Sequence, residues 1–280
     1  MKSRVLFSKV DMDTCLTAFI LRVNPGDHVI AIQEDADQRY LNNPNVICIE
    51  CGGSGKAHLN NFDHHNFEGK IGTACEQAYE KMGIKDDALK KLVDYVSIID
   101  INPRSLPVKD FPNLSCIFSG MLLTYNDPKK QLFKGIEIFS LVLKKGLDPF
   151  DTMPHLAEWA EYIEAKREND LEVEKAKAFT SFVTSKSGLK IGYIETSIFG
   201  VLGALYDQGC NIAIAYNPNF GNPAIRKFTI AGNGISVNHL TSILNRLEPG
   251  WGGRGTIIGS PRNGSKLSLE EVVEIVRRNV

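Results

Sequence analysis

The sequence predicts an α/β protein: a parallel-sheet domain over residues 1–126, a helical connector over 127–185, and a second, smaller α/β domain over 186–280. Three observations carry this. Short apolar runs alternate with helical patterns through the first 125 residues, as in a parallel sheet covered on both faces. From Asp127 to about Ser185 the chain becomes helical and charged. From 186 onward the strand and helix signals return.

The first-domain strands are RVLFSKV, DHVIAIQ, NVICIE and YVSIID. Its helices run from Thr14 to Arg22, from Ile71 to Met82, and from Lys85 to Tyr95 leading into the fourth strand. Gly72-Thr73 opens the second of these helices; Ala74, Ala78 and Met82 share one face, and Gly83 stops it. In the connector, HLAEWAEYIEAKRENDLEVEKAKAFTSFV places apolar residues at three- and four-residue spacing with Glu and Lys between them, the mark of a solvated helix face. The last domain has KIGYIE and NIAIAYNP as strands around the helix FGVLGALYDQG. RKFTIAG is a further strand, followed by the helix VNHLTSILNRLEP, a glycine-rich turn, and the helix SLEEVVEIVRR. Ser268 with Glu271 three positions on is a capping-box start for that last helix.

Composition narrows the class. Hydrophobic residues at 43% and charged residues at 23% suit a soluble globular chain. A formal net charge of −1 argues against a bulk electrostatic grip on long nucleic acid, and leaves room for a local basic groove. No apolar run approaches the roughly 18 residues of a membrane span, and MKSRVLFSKVD begins a strand without a signal-peptide core. Six cysteines (Cys15, Cys48, Cys51, Cys75, Cys116 and Cys210) lie mostly in apolar segments. Cys48 and Cys51 form a CxxC with no partner pair nearby, so reduced thiols in a cytoplasmic protein are expected and structural zinc is not.

Chemistry concentrates in 46–69, VICIECGGSGKAHLNNFDHHNFEG. A buried strand brings Glu50 to its C-terminal edge, where open parallel sheets hold ligands. A Gly- and Ser-rich loop follows, then Asp63-His64-His65 between Phe62 and Phe67. Imidazoles beside a carboxylate suit Mn, Fe, Co or Zn. Upstream, a strand ends in Asp11 and Asp13, two carboxylates at the exit of β-structure that make a poor core and a good cation site. Downstream, YVSIID closes on Asp100, and WGGRGTIIGSPR forms the glycine turn of the last domain.

This set and order resemble the DHH phosphoesterase superfamily with its DHH-associated C-terminal domain, over nearly the whole chain. That superfamily holds single-strand exonucleases, nanoRNases, cyclic dinucleotide phosphodiesterases and manganese pyrophosphatases. The resemblance implies a metal-dependent hydrolase related to exopolyphosphatases. Its substrate would be a small phosphorylated compound, a nucleotide or a short oligonucleotide. Carried onto this chain, it implies that Asp13, Glu50, His64 and Asp100 hold one cation, and that Asp11 with Glu50 forms part of a second site. Asp63 would orient the His pair and His65 would donate to the phosphate. Gly252, Gly253 and Arg254, with Arg262, would bind substrate. Mn²⁺ is the leading ion, with Mg²⁺, Co²⁺ or Zn²⁺ as alternatives and one or two ions per chain. No membrane partner is implied, and a homodimer is compatible with the sequence.

Three departures from the superfamily pattern stand out, two of them cationic. Lys9 occupies the position of the first motif's His; a protonated Lys has no lone pair for a metal, and its ammonium can stand where a cation would. Arg254 replaces the His of the GGH turn and can bind phosphate bidentately. Glu50 takes the place of a bridging Asp, one methylene longer. Both cationic replacements keep affinity for anions, so a degenerate phosphate-binding protein that does not cleave its ligand is the rival reading.

Each residue also has an ordinary alternative. Asp11 and Asp13 would cap the helix near Thr14. His64 and His65 would be a loop pair, and Asp100 would serve the turn that follows it. Lys9 would be a surface residue, Gly252-Gly253 a tight turn, and Arg262 a solvated side chain.

Overall fold

The computed structural model describes residues 3–33, 35–65, 69–102, 105–106, 110–221 and 223–280, without the Arg254 side chain. Two compact units divide at Lys166 and Arg167.

The first unit opens with β1 (Arg4–Phe7), α1 (Met12–Ile20), β2 (His28–Ala31), α2 (Gln38–Leu41) and β3 (Val46–Ile49). A two-residue strand β4 (Asn61–Phe62) follows, then α3 (Ala74–Met82), α4 (Asp87–Ile101), α5 (Leu114–Thr124) and α6 (Pro128–Lys144). The sheet order is β2-β1-β3-β4 and every pairing is parallel. The chain leaves β1 for one neighbour and reaches the other as β3. The C-terminal ends of β1 and β3 therefore flank the point where the strand order reverses, the place where such sheets bind ligands.

The fourth strand is β4, and the segment YVSIID expected there lies in the second half of α4. Asp86 caps α4, accepting from the Leu89 N–H at 2.9 Å. From there Leu89, Leu92, Val93 and Val96 are buried at helical spacing, so one period of 3.6 runs unbroken through Tyr95 to Ile101. A short apolar run such as YVSII fits either period when read alone. Burial on one helix face decides it.

The charged stretch after Asp127 also differs from a separate connector up to Lys166. Leu132, Ile138, Phe139 and Val142 of α6 lie in the same core as Val5, Phe7, Leu16 and Phe62. Gly135 lets α6 come close to α1, since a Cβ there would stand 2.5 Å from Cys15 Sγ. Trp159, Tyr162 and Ile163 complete that core from the start of α7 (Ala160–Ala176) and the turn before it.

The second unit holds β5 (Ser181–Thr184), β6 (Lys190–Glu195), α8 (Val201–Asp207), β7 (Ile212–Phe220) and β8 (Ile225–Gly232). It ends with α9 (His239–Leu247), β9 (Gly252–Arg254), β10 (Ile257–Gly259) and α10 (Leu269–Asn279). Its six-stranded sheet runs β5-β6-β7-β8-β10-β9, antiparallel except for β6 with β7. Phe228, Ile230, Leu240, Leu244 and Val276 form its core. The capping box at α10 is present: Ser268 N–H donates to Glu271 at 2.7 Å and Glu271 N–H returns to Ser268 Oγ at 3.2 Å. The glycine turn is a hairpin of β9 with β10.

None of the six cysteines, all of them described residues, is in a disulfide, and five are buried. Among the described residues, no helix is long and apolar enough to cross a membrane.

Candidate metal centre

Phe7 ends β1, and the chain then passes through Lys9 to Asp11, which caps α1 by accepting from the Thr14 N–H at 2.8 Å. Asp11 is thus a helix cap, and it also pairs with Lys9 Nζ at 2.7 Å. Asp13 caps nothing on its own helix. It is 1% exposed and crosses to α3, where its two carboxylate oxygens accept from the N–H groups of Ala74 at 2.8 Å and Cys75 at 2.7 Å. The positive end of α3 thereby fixes the orientation of that carboxylate.

Ile49 ends β3, and Glu50 follows with φ of +53°. A left-handed backbone at a residue with a Cβ costs of order 1–3 kcal/mol and persists only where its surroundings hold it. Here they do. The Glu50 N–H donates to the Phe62 carbonyl at 2.9 Å, and the Ser8 hydroxyl donates to the Glu50 carbonyl. The twist turns the side chain fully out of solvent; Oε2 pairs with Lys9 Nζ at 3.0 Å, and Oε1 makes no hydrogen bond. The next residues form a loop in which Gly53, at φ +78°, has no space for a Cβ beside Asn61.

Phe62 of β4 leads directly into Asp63-His64-His65; Phe67 lies outside the described residues. Asp63 is buried and ties the segment together. One oxygen accepts from Gly52 N–H at 2.6 Å; the other accepts from His65 N–H at 2.7 Å and meets His65 Nδ1 at 2.8 Å. Gln77 of α3 donates to the Asp63 carbonyl at 3.0 Å.

These elements converge on one imidazole nitrogen. His64 Nε2 stands 3.1 Å from Asp100, 3.4 Å from Glu50 and 4.0 Å from Asp13. Donors about 2.0–2.2 Å from a shared ion can be no more than about 4.4 Å apart. All three separations meet that limit. Among the described residues two metal-capable groups result, Glu50/His64/His65 and Asp13/His64/Asp100. A mixed nitrogen and oxygen donor set, with Glu50 Oε1 buried and lacking a hydrogen bond, fits Mn or a similar divalent ion.

The electrostatics agree. Burial pushes the Glu50 carboxyl up to about 9; Lys9 opposes this, and the charges of Asp13 and Asp11 add to it. Burial and the Asp11 charge raise Asp13 to about 6, against the hydrogen bonds from Cys75. Burial would lower the Lys9 ammonium, but Asp11 and Glu50 outweigh it and hold it above its ordinary range. Burial likewise opposes ionisation of Asp100, yet His64 and Lys9 lower its pKa on balance. Too many acids share too little water. A divalent cation relieves that repulsion.

A solved structure described as the DHH domain of a member of the s1p family of ribosomal proteins is similar to this chain. It has 12% identity and a TM-score of 0.52, covering 98% of this chain and 85% of that one. The fold is that of a DHH domain protein. An uncharacterized protein from Helicobacter pylori G27 matches at 14% identity and a TM-score of 0.30, over 100% of both chains. CDC45 from Entamoeba histolytica matches at 8% identity and a TM-score of 0.38, over 98% of this chain and 94% of that one. No family model and no curated protein sequence matches.

Within the DHH fold, Lys9, Asp11, Asp13, Glu50, Asp63, His64, His65 and Asp100 are gathered at one sheet edge, with Asp100 supplied by a helix end. Gly252, Gly253, Arg254 and Arg262 belong to the second unit. Gly253, at φ +150°, packs against the Ile257 carbonyl, where no side chain fits. Arg262 is exposed, and burial together with its charge lowers the pKa of Lys227. The N–H pair of Ala74 and Cys75 that receives Asp13 is not among the residues the sequence motifs single out. Its signal was the T-x-x-E start of α3, where Glu76 accepts from the Thr73 N–H at 2.8 Å.

Proposed function

We propose that this protein hydrolyses a phosphoester or phosphoanhydride with a divalent metal ion, Mn²⁺ foremost, and that its substrate is a nucleotide or short oligonucleotide. The observation that carries this is the meeting of Asp13, Glu50 and Asp100, from three separate elements, around His64 Nε2. Asp13, His64 and Asp100 would hold the ion, with Glu50 Oε1 beside His64 Nε2 at its edge; when bound it supplies charge neutralisation and a more acidic water.

The chain's own groups do the rest. Asp63 fixes the His65 ring by its contact with Nδ1, so Nε2 is the polar atom His65 has left to offer a phosphate oxygen. Lys9 keeps a positive charge beside Glu50 and Asp11. Gly252, Gly253, Arg254 and Arg262 are the phosphate-binding candidates of the second unit. Cleavage of a dinucleotide and of a generic phosphodiester, assayed with Mn²⁺ before and after chelation, tests the reading. Absence of metal-dependent turnover on every phosphate substrate sinks it.

The second reading is a binder that does not cleave. It is favoured by the double ion pair of Lys9, which spends two acidic side chains on an ammonium. Nucleotide affinity without turnover would select it.

A further inference from the structure

We infer that the acidic cluster takes one divalent ion per chain, because Lys9 Nζ already acts as the second cation. This rests on the proposed metal-dependent reading and specifies its stoichiometry. Lys9 Nζ lies 2.7 Å from Asp11 and 3.0 Å from Glu50 Oε2, bridging two carboxylates as a small cation would. The Glu50 side chain is fully buried, and Asp11 is also committed through its other oxygen to the Thr14 N–H. An ion entering between Asp11 and Glu50 would have to displace an ammonium tethered to the backbone between β1 and α1. The remaining donors cannot hold two ions either. Both metal-capable groups include His64, whose Nε2 is the atom facing Asp13, Glu50 and Asp100. An imidazole nitrogen has one lone pair and ligates one ion. Filling Asp13/His64/Asp100 therefore leaves the other group only Glu50 and His65, whose Nδ1 is already held by Asp63 at 2.8 Å. The ion takes the side of the cluster near His64 and Asp100, and the ammonium takes the side near Asp11.

The arrangement assigns Lys9 a positioning role. It holds Glu50 Oε2, leaving Oε1, 3.4 Å from both His64 Nε2 and His65 Nδ1, to face the ion. Removing the ammonium while keeping a similar side-chain length would open a second site between Asp11 and Glu50.

The test is Mn²⁺ titration of the full chain by calorimetry, with elemental analysis of the loaded protein after desalting, on wild type, Lys9→Gln and Lys9→Arg. One equivalent is expected for wild type and Lys9→Arg, and two for Lys9→Gln. Electron paramagnetic resonance of the Mn²⁺-loaded wild type gives a readout that needs no variant: an isolated-ion spectrum is expected. Two equivalents or an exchange-coupled pair in wild type overturns the inference while leaving the metal-dependent reading intact. Fewer than two equivalents in folded Lys9→Gln also overturns it. No ion in the wild type removes the metal-dependent reading and the inference with it.

Discussion

Asp13 on α1 accepts a hydrogen bond from the Cys75 N–H of α3 at 2.7 Å, across 62 residues of chain. Its other oxygen accepts from Ala74. The carboxylate is therefore part of the fold before any ion arrives. Asp13→Asn would turn an amide NH₂ toward one of those two N–H groups. A buried donor left facing a donor costs about 1–3 kcal/mol. Chemical denaturation in chelator should show that loss, and an unchanged midpoint would refute the bond's role.

Asp63 touches no predicted ion, yet it holds Gly52, the His65 backbone and the His65 ring. Losing such an orienting partner typically weakens metal binding or activity about 10–100-fold. Asp63→Asn should do so, read as turnover of a phosphodiester at saturating Mn²⁺. A rate within twofold of wild type, on the order of 0.4 kcal/mol, would mean that His65 needs no such anchor.

The Glu50 carboxyl, raised to about 9 in the metal-free fold, sets a pH dependence. Between its ordinary unfolded value and about 9 the folded chain binds the proton more tightly than the unfolded chain. Its stabilising contribution is complete below the unfolded value and is lost progressively as pH rises to about 9. Stability of the metal-free protein should fall across that window, and Glu50→Gln should flatten the fall. Denaturation curves of the two proteins in chelator at several pH values decide this; parallel profiles would count against it.

Saturating Mn²⁺ should reverse that loss at high pH, because the ion competes with the proton for Glu50. At a free concentration of about 100 times Kd, the gain is about 2.7 kcal/mol. Melting temperature with Mn²⁺, then with excess chelator, measures it; no reversible shift would speak against an ion at His64.

Gly253→Ala tests the second unit. Its φ of +150° and its contact with the Ile257 carbonyl leave no place for a methyl group, so the β9–β10 hairpin should be disrupted. Amide exchange in β10 should speed up. Exchange at wild-type rates would show that the hairpin absorbs the methyl group.

The sequence by itself determined the parallel strands of RVLF, HVIA and VICI and the caps at Gly83 and Ser268, and it nominated the acids and histidines that the fold brings near His64. Those signals are local: apolar period, capping chemistry, and acids placed at strand exits. Only the tertiary structure decided that Asp100 comes from a helix, that α6 belongs to the first core, and that Lys9 is shared between Asp11 and Glu50. Each of these depends on which face is buried against a distant segment. A short apolar run carries no record of that partner, and a lysine carries no record of the acid folded beside it.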